Sequence, residues 1–335
     1  MAWYNDIGKE NDVVVSSRIR FARNVADYPF ESKMDDTSAK EVIEKVTKAL
    51  GNGFESIDLS DLTAVESGAL VEKHLISPNF AKKKTPHALL QNDKDRVSVM
   101  VCEEDHIRLQ CILPGLALDE AYKTACIYDD RLDDKLNIAF SGELGYLTHC
   151  PTNLGIGMRA SVMVFLPALT MTRSMENLSV QLSKLGFIVR GMYGEGSQPE
   201  GCLYQISNRI TMGVTEEDTI KRLNDIVMQI CEKERKAREM LKSDNYSAIA
   251  DRVCRAYGIL KYARIISSKE FLKHFADVRL GIALGIITDI TYETLGEIMI
   301  GVLPANLVLN NGNKPLGDFE RDVLRADYIR GNLEK

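Results

Sequence analysis

Two kinds of side chain stand out for their chemistry: arginines set two apart on strands, and a run of acids at a turn. Residues 97–113 alternate apolar side chains on both sides of Glu103, Glu104 and Asp105, the pattern of a β-hairpin with an acidic turn. Val97, Val99 and Val101 lead in, and Ile107, Leu109, Cys111 and Leu113 lead out. His106, Arg108 and Gln110 share the other face of the outgoing strand. Residues 13–21 alternate again, with Val13, Val15, Ser17, Ile19 and Phe21 on one face and Ser16, Arg18 and Arg20 on the other. Both polar faces have an ordinary explanation, a solvated hairpin or an edge strand guarded by charge. They also have a sharper one, a floor for phosphate. Guanidinium forks suit phosphate oxygens, and neighbouring arginines repel unless an anion or water lies between them.

Other cations point the same way. Arg190 lies in a strand opening at Phe187, with a bulge expected at Gly191, before a loop that carries Glu195 between two glycines. Residues 150–157 form a loop whose pair Gly155 and Gly157 lets backbone approach a ligand closely, and a helix is expected from Ala160 with Arg159 at its mouth. Several cations without matching carboxylates need a polyanion, and ATP-type phosphates are the common intracellular choice. No G-x-x-x-x-G-K-[ST] pattern, protein-kinase glycine loop or H-R-D is present. Phosphoryl transfer here would therefore use arginine side chains in place of a P-loop, with Mg²⁺ bridging the phosphates. Glu103, Glu104 and Glu195 would then serve a basic acceptor. A guanidinium is the acceptor that most needs carboxylates, since one must hold its fork and take its proton before nitrogen attacks. Taken singly, Glu195 reads as solvent-facing, Cys150 as an ordinary thiol, His74 as a structural histidine and Lys82–Lys84 as solvated.

The elements that must position these groups follow from periodicity and caps. A helix is expected over 37–50, capped by Thr37 or Ser38, with Val42, Ile43, Val46, Ala49 and Leu50 as its stripe and Gly51 as its stop. Residues 66–90 read as a short helix running into a loop, 119–133 as a helix, 137–149 as a strand pair and 202–213 as a strand with Arg209 near its end. Thr215 caps a long helix striped by Ile220, Leu223, Val227 and Ile230, whose charged tail Glu232 to Arg238 reads as solvated. From 245 the chain reads as helical, over 247–262, 269–275, 278–290 and 317–330. The expected division is 1–240 and 241–335.

Composition bounds the class. The 335 residues are 45% hydrophobic and 27% charged with a net charge of -6, ordinary globular usage that gives no reason to propose nucleic acid as a partner. The N-terminus does not look like a signal peptide, and no apolar run is long enough to span a bilayer. Seven cysteines without C-x-x-C spacing favour reduced thiols over a disulfide framework or a zinc site, so a cytoplasmic protein is expected.

These stretches resemble the guanidino (phosphagen) kinase family, and most closely its bacterial protein-arginine branch. The match runs in order through Ser16-Ser17-Arg18-Ile19-Arg20, Glu103-Glu104-Asp105-His106-Ile107-Arg108, Cys150-Pro151-Thr152-Asn153-Leu154-Gly155, Arg159-Ala160-Ser161-Val162-Met163 and Arg190-Gly191-Met192-Tyr193-Gly194-Glu195. The resemblance implies an α+β fold, an antiparallel sheet flanked by helices, followed by an all-helical C-terminal domain. It implies that Ser16 to Arg20, His74, Arg108, Arg159 to Met163 and Arg190 to Glu195 bind ATP, with Mg²⁺. Glu104 would be the general base, Glu195 the second carboxylate on the guanidinium, and Cys150 its neighbour. Two departures stand out: Cys102 occupies the position where the family's acidic box has asparagine, and Ile156 replaces the usual threonine between the glycines.

The family's metabolite kinases carry a helical domain before the first arginine strand, where only 15 residues precede Ser16 here. The resemblance therefore implies phosphorylation of arginine in proteins. By spacing alone Arg321 and Arg325 would be surface salt-bridging residues. In Arg321-Asp322-Val323-Leu324-Arg325-Ala326 they resemble the R-D-x-x-R-A motif with which the protein-arginine branch binds phosphoarginine. The resemblance also brings a homodimer, the Clp unfoldase and protease system and a zinc-binding activator into the set of expected partners. A kinase of free arginine, or a phosphoarginine-binding adaptor without catalysis, stays open at this point.

Overall fold

The arginine strand near the N-terminus lies in the middle of a sheet. The computed structural model describes residues 3–191, 200–314 and 316–334. Its strands and helices run β1 (Val14–Arg23), α1 (Asp36–Leu50), β2 (Glu55–Asp58), α2 (Ala64–Glu72), β3 (Ala88–Asn92), β4 (Val97–Val101), β5 (Ile107–Pro114) and α3 (Leu118–Asp133). There follow β6 (Phe140–Ser141), β7 (Gly145–Tyr146), β8 (Met158–Phe165), α4 (Pro167–Met171), α5 (Met175–Lys184), β9 (Phe187–Gly191) and β10 (Leu203–Asn208). The helices α6 (Glu216–Tyr262), α7 (Ser268–Ala283), α8 (Tyr292–Gly301), α9 (Pro304–Asn310) and α10 (Asp318–Leu333) complete the chain. The eight-stranded sheet has the order β2-β3-β4-β5-β1-β8-β10-β9, and every pair in it is antiparallel.

The sheet separates two apolar clusters. Ile19, Phe21, Leu109, Val162 and Ile206 face α1, α3, α5 and the first half of α6. On the other face Ile112, Met163, Phe165 and Leu203 pack beneath α7, α8 and α10. The arginines lie further along that second face, beyond the part that the C-terminal helices cover.

Several expectations need correction. β1 is not an edge strand: its backbone is paired on both sides, so charge there does not guard an edge. A bulge against β8 pairs Val14 with Val164 and Ser16 with Met163. It sends Val14 into the first cluster and leaves Val15 against the second, so Val15 does not share the face of Ile19. The helix expected from Ala160 is strand β8, because an apolar run buried on both faces carries the same hydrophobic signal as a buried helix. Strand β3 begins within residues 66–90, at the end of the expected loop. The α1 cap is Asp35, which accepts from Ser38 N at 2.7 Å, not Thr37 or Ser38. The apolar stretch 278–290 is helical only to Ala283.

In the charged segment Glu232 to Arg238 of α6, Glu232, Lys233 and Lys236 are exposed as expected, but Glu234 and Arg238 are not. Glu234 is fully buried, and its carboxylate accepts from Ala168 N and Leu169 N, each at 3.0 Å, at the start of α4. Arg238 Nε donates to the same carboxylate at 2.8 Å and Nη1 reaches Asp12 at 3.1 Å. Burial pushes the Glu234 carboxyl up, against the opposite pull of Arg238 and the two N–H groups. These partners lie far away in sequence, so helix periodicity cannot reveal them. Within α6, Asn245 alone departs from helical geometry, with φ -155° and ψ 60°.

Glu234→Ala would leave the buried Arg238 short of a partner and α4 without its cap. Stability in urea unfolding should drop by about 3–5 kcal/mol; a change below about 1 kcal/mol would show that Asp12 alone satisfies Arg238.

Candidate active site

The register builds a cationic floor. Arg20 stands opposite Arg159 across β1 and β8, Arg18 opposite Ser161, and Ala22 opposite Arg108 across β1 and β5. Side chains two apart on a strand share a face, so Arg18, Arg20, Arg108, Arg159 and Ser161 all project from one side. Their effects on one another show how close they come. Burial pushes Arg18 down to about 10, and the Arg108 and Arg159 charges push the same way. Arg20 is lowered further, by burial first and then by Arg18, Arg108 and Arg159, with Glu103 opposing. Among the described residues the Arg20 Nε is buried without a hydrogen-bond partner. Such a group calls for an acceptor from outside the chain. Arg190 lies on the same face of β9, in register with Gln205 of β10, and no bulge interrupts that pairing up to Gly191.

His74 follows α2 at the back of this floor in a left-handed conformation, φ 60°. Its carbonyl accepts from Gln110 Nε2 at 2.9 Å and its ring meets Trp3 edge-on. Burial and the Arg18 charge push its pKa down to about 3, so the imidazole is neutral at pH 7. Ser16, Arg18, His74, Ser161 and Gln205 line a cavity of about 20 Å³. Ile19, Ala160 and Val162 point the other way into the apolar cluster. Ser17 Oγ spans the loop after β5, donating to Gly115 O at 2.8 Å and accepting from Ala117 N at 3.0 Å.

The acidic turn stands beside the floor. Glu103 accepts from Ser77 Oγ at 2.7 Å and pairs with Arg108 at 2.8 Å. Burial alone would raise its carboxyl, but Arg108, Ser77 and the Glu104 N–H hold it below the usual range. Asp105 is buried, accepting from Asn24 Nδ2 and His149 N, each at 2.7 Å. His106 is also buried, its Nε2 2.8 Å from Pro29 O, and Gln110 is buried too, so this face of the hairpin is not solvated. Glu104 alone among the three acids is exposed. The Asp105–His149 bond fastens the turn to the loop carrying Cys150, whose Sγ lies 3.0 Å from Thr152 Oγ1. One short bolt thus brings Glu104 and Cys150 to the same rim.

The glycines of that loop serve protein contacts. A Cβ on Gly155 would lie 2.1 Å from Thr211 O, and one on Gly157 would lie 2.5 Å from Arg23 Nη1. Close approach is required here by neighbouring backbone and by Arg23. The expectations for Met192, Tyr193, Gly194 and Glu195 lie outside the described residues. In the C-terminal helices Arg325 is fully buried, donating to Val302 O at 3.1 Å and Ile266 O at 2.8 Å and pairing with Asp322. Arg321 is half-exposed and pairs with Asp318. Ala326 is buried in the second cluster. All seven cysteines are free. Among the described residues no group of three or more metal-ligating side chains gathers, and no helix is long and apolar enough to cross a membrane.

Arginines across an antiparallel sheet beside paired acids define a guanidino-kinase catalytic domain. Residues 37–237 match the ATP:guanido phosphotransferase C-terminal catalytic domain, and the chain belongs to that family. The second match is narrower: residues 246–335 match the protein-arginine kinase McsB C-terminal domain. A relative from Caldanaerobacter subterraneus subsp. tengcongensis, named protein-arginine kinase, is 46% identical over 97% of this chain and 98% of its own length. One of the same name from Halothermothrix orenii is 46% identical over 99% of this chain and 96% of its own. Among solved structures, the duplicated taurocyamine kinase of Schistosoma mansoni, with transition-state analogue components bound, superposes with a TM-score of 0.62. It is 26% identical, and the match covers 74% of this chain and 38% of that one.

Arg20→Met removes a buried charge that its neighbours oppose. In the absence of ligand the variant should unfold about 1–2 kcal/mol later than the wild type. It should also lose the stabilisation that tripolyphosphate gives the wild type in thermal unfolding. A less stable Arg20→Met protein, still stabilised by tripolyphosphate, would show that the floor is balanced without an anion.

Proposed function

We propose that the protein is an ATP-dependent protein-arginine kinase. The observation that carries this is a floor of clustered arginines, with the Arg20 Nε unpartnered among the described residues, beside an exposed glutamate at its rim. Full-length relatives named protein-arginine kinase support the protein acceptor.

The floor fits a nucleotide polyphosphate. Arg18, Arg20, Arg108 and Arg159 hold its oxygens, and Arg190 extends the same face. Mg²⁺ bound with the nucleotide would supply charge neutralisation on its phosphates. Glu104 faces the target guanidinium, holds its fork and takes a proton as a nitrogen attacks the γ-phosphorus. The N–P bond forms as the P–O bond to ADP breaks, and the arginines neutralise the charge left on the departing phosphate. The buried Glu103, tied to Arg108 and Ser77, keeps the turn in place and the adjacent arginine aimed.

The C-terminal helices are assigned a second, regulatory site for phosphoarginine on Arg321, Asp322 and Arg325. The matched family domain and the half-exposed Arg321 fork support it. The two family matches end at 237 and begin at 246, on either side of the break at Asn245, which supports a division near 240. The same reading takes arginine-bearing proteins as substrates in the cytoplasm, a second copy of the chain as the dimer partner, and the Clp system and a zinc-binding activator as associates.

Two measurements test the reading. Glu104→Gln should bind nucleotide as the wild type does and lose transfer by about 10²- to 10⁴-fold. The assay is mass spectrometry of an unstructured protein at neutral pH, where the P–N bond survives. Transfer at the wild-type rate would remove Glu104 from the base role, and transfer to free arginine alone would move the chain to the metabolite kinases. Arg321→Ala should weaken phosphoarginine binding about tenfold or more in calorimetry, the loss of one charge-assisted fork. Equal affinity would place the regulatory ligand elsewhere.

A further inference from the structure

In the lysine triplet between the two prolines Lys82 and Lys84 are solvated, but Lys83 is not. Lys83 is mostly buried, and its ammonium donates to Cys102 O and, at 3.2 Å, to Glu103 O while pairing with Glu31. Both carbonyls belong to the turn that presents Glu104. That turn carries a local strain: Cys102 has φ 63°, a left-handed conformation that Gly, Asn and Asp adopt far more readily than Cys. Its thiol is buried against Ala39 O and pushed up to about 12, chiefly by burial, so Cys102 offers the active site no thiolate. A cation on the two carbonyls offsets the cost of that backbone.

Lys83 is itself well anchored. It follows a short helical turn whose Phe80 is buried, and Phe80 N donates to Ser77 Oγ at 3.1 Å. The same Ser77 hydroxyl holds the Glu103 carboxylate, so residues 77–83 grip the turn at two points, side chain and backbone. Glu31, the third Lys83 partner, precedes Ser32, whose hydroxyl lies 3.1 Å from His149 Nε2, and follows Phe30, whose ring meets the His149 ring edge-on. His149 adjoins Cys150. The ammonium therefore joins the base-bearing turn to the segment that supports the Cys150 loop.

We propose that Lys83 is a positioning residue for the arginine-accepting half of the site, setting the Glu104 turn directly and the Cys150 loop through Glu31. The proposal deepens the kinase reading and rests on it for its kinetic consequence only. Lys83 holds the turn through main-chain carbonyls, while the Glu103 carboxylate on Arg108 is held separately by Ser77, so the loss of Lys83 should be felt by the acceptor and not by the nucleotide.

Lys83→Met should reduce kcat/KM for a protein substrate on the order of 100-fold, as small misplacements of a reacting group do, with KM for ATP unchanged. Adding Cys102→Asn, which suits the left-handed backbone, should restore much of that loss. Lys83→Arg should retain more activity than Lys83→Met. Hydrogen exchange measured in the same proteins does not depend on activity. Lys83→Met should speed exchange over residues 102–106 and 148–153 and leave β8 unaffected. Exchange at the wild-type rate in both segments overturns the proposal, whether or not the wild type phosphorylates arginine. So does a rise in KM for ATP that tracks a general fall in melting temperature. A wild type without arginine transfer, but with the predicted exchange, would instead refute the kinase reading and leave the positioning role standing.

Discussion

The structure depends on holding like charges together in a place where water cannot fully screen them. The Arg108 and Arg159 charges depress the basicity of Arg18 and Arg20, and the Glu103 carboxylate pairs with Arg108. Such a cluster opposes folding unless the scaffold contributes more than the charges remove. The scaffold does so by placing β1 at the centre of the sheet, where its backbone is paired on both sides and its other face lies on a continuous apolar cluster. Cations on the mobile side chains of a loop would move apart; here backbone pairing fixes the origin of each arginine, and Glu103 on Arg108 offsets part of the repulsion. Attraction for an anion and the cost of the cluster to folding have the same source.

The two halves of the site are held by different physics. On the phosphate side, charge does the selecting. On the acceptor side the work is done by short hydrogen bonds between backbone and buried polar side chains. Asn24 donates to Asp105 and to Leu147 O and accepts from His106 N, while Asp105 also accepts from His149 N. The end of β1, the acidic hairpin and the Cys150 loop are thus tied at a single buried pair. Two of the three consecutive acids are consumed in construction, Glu103 by Arg108 and Ser77, and Asp105 by Asn24 and His149. That leaves the middle acid, Glu104, exposed at the tip of the turn.

The period-two placement of arginine was legible because strand alternation is a local property, and so were the helices that carry a cap and a stripe. The acidic turn was legible for the same reason, as three acids between two alternating runs. What could not be read depends on distant partners. Residues 159–165 are apolar at nearly every position, so their pattern does not separate a two-sided strand from a buried helix; pairing with β1 and β10 decides it. Glu234 and Arg238 look like a solvated face until α4 and Asp12 are brought against them. Lys83 carries no local sign that its targets are carbonyls nineteen and twenty residues on. Cys102 was noticed as a substitution, but its left-handed backbone is a property of the turn.

The second face of the sheet is shared between chemistry and packing. Ile112 and Met163 lie under the C-terminal helices, while Arg108 on the strand of Ile112 and Arg159 on the strand of Met163 stand four positions further along. Glu72, at the end of α2, accepts from Ala305 N and Asn306 N at the start of α9, both at 2.8 Å. Burial raises the Glu72 carboxyl despite those donors, as expected where water is excluded. Two residues later the chain reaches His74, whose neutral imidazole adjoins Arg18. The C-terminal helices are therefore built onto the strands and the helix end that set the arginine floor. Contact alone is not coupling. In a packed interior, however, β1, β5 and β8 cannot shift at one end of this face while staying fixed at the other. Any rearrangement that α9 or α10 undergoes must be either absorbed by the contacts of Glu72 and Arg325 or passed to the strands that carry Arg18, Arg20, Arg108 and Arg159.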